Sequence, residues 1–152
     1  MSTDLAVLMP IPPMTPAAIE RVREIEEHML ATQAQFPLPM FHVLHAGLYS
    51  RTAFLPAGCV LTGCLVKIPT LLIIQGDVLV WLGEEAQRVT GQRVLPASAN
   101  RKQAFRALAD TSLTMVFVTS AETVAEAEKE FTSEWDRLAV GVSEAIITGE
   151  KP

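Results

Sequence analysis

Short apolar runs, separated by glycine and proline, dominate the middle of this 152-residue chain. Between Phe41 and Thr119 each run is only a few residues long, and the interruptions recur at the roughly 8–12-residue spacing that is typical of sandwiches and barrels. The pattern therefore predicts a mainly β core that begins at about residue 41.

Two of these runs, residues 71–74 and 78–82, lie on either side of Gln75-Gly76-Asp77. Because glycine adopts positive φ without a steric cost, this spacing predicts a β-hairpin whose turn contains Gly76. Glu84-Glu85 indicates a further hairpin tip. The interruption leaves both runs far shorter than the roughly 20 apolar residues needed to cross a bilayer, so no membrane span is predicted.

The chain carries no sign of export. Its first residues, Met1-Ser2-Thr3-Asp4, include an acidic side chain where a secretion signal requires basic ones. Cys59 and Cys64 are too few for a disulfide framework. These features predict a cytoplasmic protein with reduced thiols.

An amphipathic helix is predicted before the β core. Thr15 followed by Pro16 is a helix start, because the hydroxyl caps free amide groups and proline at the first helical position loses no hydrogen bond. The helix is expected to end before Phe36-Pro37, since the residue before a proline avoids helical geometry. Its apolar face comprises Ile19, Val22, Ile25 and Met29.

A second helix is predicted after the last strand, residues 113–118, because Thr119 and Glu122 have the spacing of a capping box. The chain beyond Trp135 stays apolar and is expected to pack on the barrel or on a second subunit. We therefore divide one domain into an N-terminal arm and helix (1–40), a β-barrel (41–119), and a C-terminal helix with an apolar tail (120–152). The apolar residues of the tail are Leu138, Val140, Val142, Ile146 and Ile147.

The composition limits the kinds of molecule that this chain is expected to bind. The chain has 12 basic and 17 acidic residues, a net charge of −5, so nucleic acid is not expected to bind. Hydrophobic residues make up 49% and charged residues only 19%, and some apolar surface is therefore expected to be covered by another copy, most simply in a homodimer.

The order of turn signals resembles the cupin superfamily, and most of all the small single-domain cupins of tailed phages and prophages. The resemblance implies a small jelly-roll barrel around a pocket, with an N-terminal and a C-terminal helix outside it and frequent dimerisation through sheet edges. For a phage-encoded protein the host cytoplasm would be its location. The residues that carry the resemblance are 47–51, 55–58, 61–63, 76–78, Pro96, Asp110-Thr111 and 117–119.

Cupins normally hold a metal through three histidines and a glutamate, and the resemblance implies where those ligands would stand. They fall on Cys64, Val66, near Thr70 and on Arg101. One thiol beside valine, threonine and a guanidinium cannot complete a divalent site, so neither a metal nor another cofactor is expected.

Four side chains are candidates for ligand binding. Arg101 stands in the third ligand position, where a guanidinium could hold a carboxylate or phosphate; the alternative is a solvated loop, since Asn100 to Gln103 is strongly polar. Tyr49 and Arg51 share one strand face and form either a polar patch in the barrel mouth or an ion-paired arginine beside a core tyrosine. His45 is either a pocket residue or a strand-end histidine bonded to backbone.

No sequence signature of catalysis is present, and no catalytic residue is assigned. The first hypothesis is a non-catalytic, metal-free cupin-like protein that acts by protein contact, as an assembly component or a binder of a host protein. The second is a binding module for a small anionic molecule, which requires that Leu72, Val66, Ile74 and Phe117 leave a cavity. The third is a metal-independent sugar-nucleotide isomerase or epimerase with His42 or His45 as its base.

Overall fold

The computed structural model describes residues 10–35, 37–81, 85–138 and 143–152. Within these residues the chain is mainly β and has two α-helices, as predicted. Helix α1 spans Pro16–Thr32, α2 spans Val124–Phe131, and a 3-10 turn spans Trp135–Arg137. The strands are β1 (Met40–His45), β2 (Leu48–Leu55), β3 (Val60–Thr62), β4 (Thr70–Trp81), β5 (Ala86–Ala97), β6 (Ala104–Ala107), β7 (Thr111–Val118) and β8 (Ser143–Ile147).

The eight described strands form one curled sheet in the order β3-β6-β4-β7-β2-β1-β8, with β5 paired to the remaining side of β4. Neighbours are antiparallel except β1 and β8, which are parallel. Strand β4 pairs with β5 along its whole length, with β7 over residues 71–75 and with β6 over residues 78–81. The change of partner in the middle of β4 is what curls the sheet.

The predicted hairpin turn at Gly76 is wrong, because β4 continues through it as one strand. Gly76 has φ of 142°, and a Cβ there would lie 2.5 Å from Oγ1 of Thr111 and 2.8 Å from the carbonyl oxygen of Asp110. Glycine is therefore needed here for a close approach at the bend and not for a turn. The connection from β4 to β5 includes residues 82–84, so the tip predicted at Glu84-Glu85 falls largely outside the described residues.

Helix α1 begins as predicted. The amide of Ala18 donates to Oγ1 of Thr15 over 3.1 Å, and Pro16 is the first helical residue. The helix ends at Thr32, ahead of Pro37, and Phe36 lies outside the described residues. Val22 packs with Met14 and Ala104, and these contacts fix the helix against the sheet.

The capping box predicted at Thr119 is wrong by one turn. The N-cap of α2 is Thr123, whose Oγ1 accepts from the amide of Glu126 over 3.1 Å. Thr119 instead accepts from the amide of Ala121 and donates to Glu130, so it holds the loop ahead of the helix. Both threonines fit the same short pattern, and the path of the chain after β7 selects the later one.

The C-terminal tail joins the sheet. Strand β8 pairs in parallel with β1, and Ser143 lies opposite Met40. The side chains of β8 are exposed, including Ile146 and Ile147. Residues 139–142, with Val140 and Val142, lie outside the described residues. In the described part of the tail, Leu138 packs against the core cluster that contains Phe117 and Phe131, and residues 143–147 pair with the sheet edge through their backbone.

Alternation along the strands gives the sheet two sides. On β2, Tyr49, Ala53 and Leu55 are buried on the concave inner side, while Leu48 and Phe54 are exposed on the outer side. The two main core clusters lie on the inner side. No helix in the described ranges is long and apolar enough to cross a membrane.

Candidate ligand cavity

A cavity of about 820 Å³ lies on the inner side of the sheet. Helix α1 covers it with Met29 and Leu30, and the strands supply Leu72, Phe105 and Leu113. The sequence left open whether apolar side chains would fill this space. Val66 and Leu72 line the cavity, whereas Ile74 and Phe117 lie in the packed core beside it. The inner side therefore has room for a small molecule.

Arg101 lines this cavity and is buried, with 2% of its surface exposed. Its NH1 donates to the carbonyl of Ser98 over 2.6 Å, its NH2 to Oγ1 of Thr70 over 2.6 Å, and its Nε to Oε1 of Gln103 over 3.3 Å. All three acceptors are neutral. Among the described residues no carboxylate lies within ion-pair distance of this guanidinium. Burial lowers the pKa of Arg101 to about 10, so the group is still charged at neutral pH.

The solvated-loop interpretation of residues 100–103 is wrong for three of the four residues. Arg101, Lys102 and Gln103 are all buried, and only Asn100 is exposed. The segment lies under α1, and Arg101 forms a β-bridge with Val66. A polar run looks like a loop in the sequence, but here the run faces ionic and amide partners inside the fold.

The structure brings together the four positions at which the resemblance implies metal ligands. Cys64, Val66 and Arg101 line one cavity, and Arg101 donates to Thr70. Burial raises the pKa of the Cys64 thiol, so it is protonated at neutral pH. A neutral thiol, an alkyl group, a hydroxyl and a cation do not fit a divalent metal. The described residues also contain no cluster of three or more His, Cys, Asp or Glu side chains that could hold one.

Lys102 shows how the other buried cation is compensated. Its side chain is 1% exposed, and its Nζ lies 3.1 Å from Oε2 of Glu26, 2.9 Å from the carbonyl of Gly63 and 3.6 Å from Oε1 of Glu134. Two carboxylates from different elements thus face one ammonium. Burial of this cation is offset within the protein itself.

Glu134, which faces Lys102, also bonds to the amide of Leu65 and to Arg23 of α1. Burial tends to raise its pKa, but the amide of Leu65 at 2.7 Å, the guanidinium of Arg23 at 2.9 Å and the charge of Lys102 outweigh burial, and the pKa is lowered. The carboxylate is therefore ionised at neutral pH. It ties α1 to the segment that follows α2.

The sequence left two alternatives open for Arg51 and Tyr49. The structure shows the second, an ion-paired arginine beside a core tyrosine. NH1 of Arg51 lies 2.8 Å from Oε2 of Glu128, and its guanidinium lies 5.8 Å from the ring centre of Phe131. Tyr49 is fully buried in an aromatic cluster and accordingly does not line the cavity, although Arg51 does. The hydroxyl of Tyr49 lies 2.8 Å from Nδ1 of His42.

Neither histidine proposed as a base lies at the cavity. His42 is buried against Tyr49, and burial lowers its pKa, helped by the charge of Arg51. His45 is exposed at the end of β1, with Nδ1 2.8 Å from Oγ1 of Thr148 and Nε2 3.7 Å from Glu150. Of the four candidate binding residues, the cavity thus contains Arg101 and Arg51, and not Tyr49 or His45.

Sequence reasoning missed Lys102, Gln103, Glu26 and Glu134 as parts of this site. One signal was present in α1, where Glu26 lies four residues after Val22 and three before Met29 and so shares their face. An acidic residue on an otherwise apolar helix face indicates a buried partner. No comparable signal marks Glu134, which reaches the cavity through the loop after α2.

No family model and no curated protein matches this chain. Similar solved structures include a cupin superfamily protein from Desulfitobacterium hafniense, with a TM-score of 0.43 and 13% identity over 51% of this chain and 72% of the other. An RmlC-like cupin protein from Desulfovibrio desulfuricans has a TM-score of 0.45 and 18% identity over 57% and 90% of the two chains. KdgF from a Halomonas species has a TM-score of 0.42 and 18% identity over 51% and 76%.

Two of these three structures are named as cupins. At such TM-scores and identities, however, the likeness carries no conclusion about ligand, partner or activity.

Proposed function

We propose that this protein is a binding module for a small anionic molecule held in the cavity under α1, and that it binds this molecule without transforming it. The proposal takes up the second of the three hypotheses from the sequence. It is favoured over the isomerase hypothesis because, among the described residues, no histidine lines the cavity.

The observation that carries the proposal is the contrast between Arg101 and the three other described cations that line the cavity. The exposed Arg137 lies 3.8 Å from Glu134. Lys102 faces Glu26 and Glu134, and Arg51 faces Glu128. Arg101 is as deeply buried as Lys102 and has only neutral acceptors among the described residues. An unpaired buried charge is costly, and a bound anion would offset that cost.

The test is thermal unfolding of the purified chain in a panel of acetate, benzoate and inorganic phosphate, followed by calorimetric titration of any anion that stabilises it. A ligand at one hundred times its Kd stabilises the folded state by about 2.7 kcal/mol, which raises Tm by several degrees. We expect this rise in the wild type and its loss in Arg101→Gln. Arg106→Gln is the matched control, because Arg106 is an exposed arginine on β6 and does not line the cavity.

Two results would overturn the proposal. One is a wild-type protein whose Tm does not respond to any anion of the panel or to any straight-chain carboxylate from butanoate to decanoate. The other is an Arg101→Gln variant that folds and keeps the full response.

A second candidate function, protein contact between two copies of this chain, is favoured by the outer side of the sheet. On β1, β2, β7 and residues 71–75 of β4, none of the fourteen outward-facing side chains is an acid, a lysine or an arginine, and His45 is the one titratable group among them. We call this surface the outer face. Its apolar members are Phe41, Val43, Leu48, Phe54, Leu71, Ile73, Val116 and Val118.

The occupant we propose for the outer face is a second copy. The face itself measures roughly 450 Å² from strand spacing and rise, a little over half of the roughly 800 Å² per partner that stable dimers bury. Two chains of net charge −5 repel one another elsewhere, but an uncharged face does not add to that repulsion. A two-fold axis through the face would place the outer faces of the two copies against each other.

Sedimentation velocity tests this candidate. We expect a dimer for the wild type and a monomer for Val118→Glu, because Val118 is 81% exposed on the outer face. Leu108→Glu, at an exposed apolar residue outside the face, is the control and should stay dimeric. A wild-type protein that is monomeric at about 100 µM, some tenfold above a Kd of 10 µM, contradicts the candidate.

A further inference from the structure

A second unpartnered polar group lies beside Arg101. Nε2 of Gln103 is buried and has no hydrogen-bond acceptor, the one buried side-chain polar atom in the described ranges with this property. The same side chain uses its Oε1 to accept from Nε of Arg101, which leaves the amino end of the amide as the free donor. A buried donor without an acceptor costs about 1–3 kcal/mol, and such groups are rare in folded proteins.

The two neighbouring side chains therefore each keep unused hydrogen-bond donors. A guanidinium has five N–H groups, of which Arg101 uses three in the hydrogen bonds named above. Together with Nε2 of Gln103, the remaining groups match the two oxygens of a carboxylate. Among the described cations that line the cavity, Arg101 alone has no described carboxylate within ion-pair distance, so one negative charge would compensate it. A phosphate with nearly two charges would exceed it.

Much of the remaining lining is apolar, and its charged members already take part in ion pairs, namely Glu26, Arg51, Lys102, Glu134 and Arg137. A carboxylate would occupy a small part of the 820 Å³, and large side chains surround the remainder. Methionines contribute from both the helix and the sheet, and they adapt readily to a flexible apolar ligand. The side chains concerned are Met29, Leu38, Met40, Leu72, Phe105 and Leu113.

We propose that the ligand is an amphipathic monocarboxylate, with its carboxylate on Arg101 and Gln103 and its hydrocarbon body between α1 and the inner side of the sheet. This inference rests on the proposed anion-binding function and names its ligand class. The uncompensated charge of Arg101 favours the carboxylate of this ligand, and the apolar walls of the cavity favour its hydrocarbon body.

A homologous series of straight-chain carboxylates tests the inference by calorimetric titration. From butanoate to decanoate, we expect the affinity to rise about threefold to fourfold for each added methylene. 1-Octanol and inorganic phosphate are the matched probes for each half alone, and both should bind at least tenfold more weakly than octanoate. Met29→Gln, on the exposed helix that covers the cavity, should flatten the dependence on chain length without removing the response to charge.

Gln103→Glu is the most specific variant, because it keeps the shape of the side chain and supplies Arg101 with a carboxylate from within the protein. We expect this variant to have a higher Tm than the wild type without ligand and to lose octanoate binding at least tenfold. Gln92→Glu, at an exposed glutamine on β5, is the control and should change neither.

The outcomes separate the two proposals. Binding of acetate or phosphate that requires Arg101 but does not strengthen with chain length overturns the amphipathic ligand and leaves the anion site. Equal binding of 1-octanol and octanoate overturns both, since charge would then play no part. A Gln103→Glu variant that binds octanoate as the wild type does also overturns the inference.

Discussion

The two sides of the sheet differ in where charged side chains lie, although apolar side chains are common on both. The inner side encloses Arg51, Arg101 and Lys102 in or beside the core, whereas the outer face contains eight apolar side chains and no acid, lysine or arginine. The buried inner side therefore combines an apolar core with charged groups, whereas the outer face has apolar and neutral polar groups without a core to cover them. The two proposed functions, anion binding on the inner side and association through the outer face, rest on this contrast.

The inner side can be disrupted most strongly at Lys102. Lys102→Met removes an ammonium that faces Glu26 and Glu134 and leaves both carboxylates in a buried site without it. We expect a loss of about 3–5 kcal/mol in the free energy of unfolding, measured by urea denaturation. Lys67→Met, at an exposed lysine, should stay within about 0.5 kcal/mol of the wild type. Equal effects at both positions would show that the buried ion pair does not stabilise the inner side.

The bend that creates the inner side depends on Gly76. Gly76→Ala places a methyl group against Thr111 and the carbonyl of Asp110 at a φ that alanine rarely adopts. We expect a loss of about 3 kcal/mol, from backbone strain and close contact together. Gly149→Ala, with no atom within 4 Å of the added carbon, provides the comparison in the same denaturation assay. A fully stable Gly76→Ala protein would mean that β4 can curl without glycine.

The buried histidine on the inner side predicts a pH dependence. Burial, together with Arg51, holds the pKa of His42 below its usual value of 6.5. Below pH 6.5 the unfolded chain therefore binds a proton that the folded chain does not, so this part of the stability is present above pH 6.5 and is lost as the pH falls.

His42→Phe should remove that acid loss, while costing about 1–2 kcal/mol at pH 8 because the Tyr49 hydroxyl loses its partner. Chemical denaturation at pH 8, 6.5 and 5 measures both effects. A variant with the same loss between pH 6.5 and 5 as the wild type contradicts the assignment.

The smallest effect is expected on the outer face. Thr52 and Thr114 share a hydrogen bond of 2.8 Å between their hydroxyls across β2 and β7. Thr114→Val should cost about 0.5–1 kcal/mol, and the double variant with Thr52→Val should recover most of it, because neither hydroxyl is then left without a partner. A double-mutant cycle gives the coupling, and no coupling would mean that water serves both hydroxyls equally well.

Much of the fold could be read from local patterns. Thr15-Pro16 marked the start of α1, and the spacing of short apolar runs gave a mainly β core from about residue 41. The hairpin at Gly76 failed because a glycine needed for close approach has the same appearance in a sequence as a glycine needed for a turn. Thr119 and Thr123 likewise both fit a helix cap, and only one is used.

The site was predictable in part. Arg101 and Arg51 do line the cavity, but the compensation of Arg51 by Glu128 and of Lys102 by Glu26 joins residues far apart in the chain. Which cation has a counter-charge cannot be found from spacing. The phage or prophage origin, the binding of a host protein and the cytoplasmic location stay predictions of the sequence.

By itself, the sequence determined the β class, the helix at Thr15-Pro16 and the apolar excess, because propensity, capping and composition act over a few residues or over the whole chain. Only the tertiary structure decided which side of each strand is buried and which buried cation stays without a carboxylate. The physical reason is that both depend on distances between segments tens of residues apart. Arg101 and Lys102 are neighbours in the chain, and the elements packed around them make one compensated and the other not.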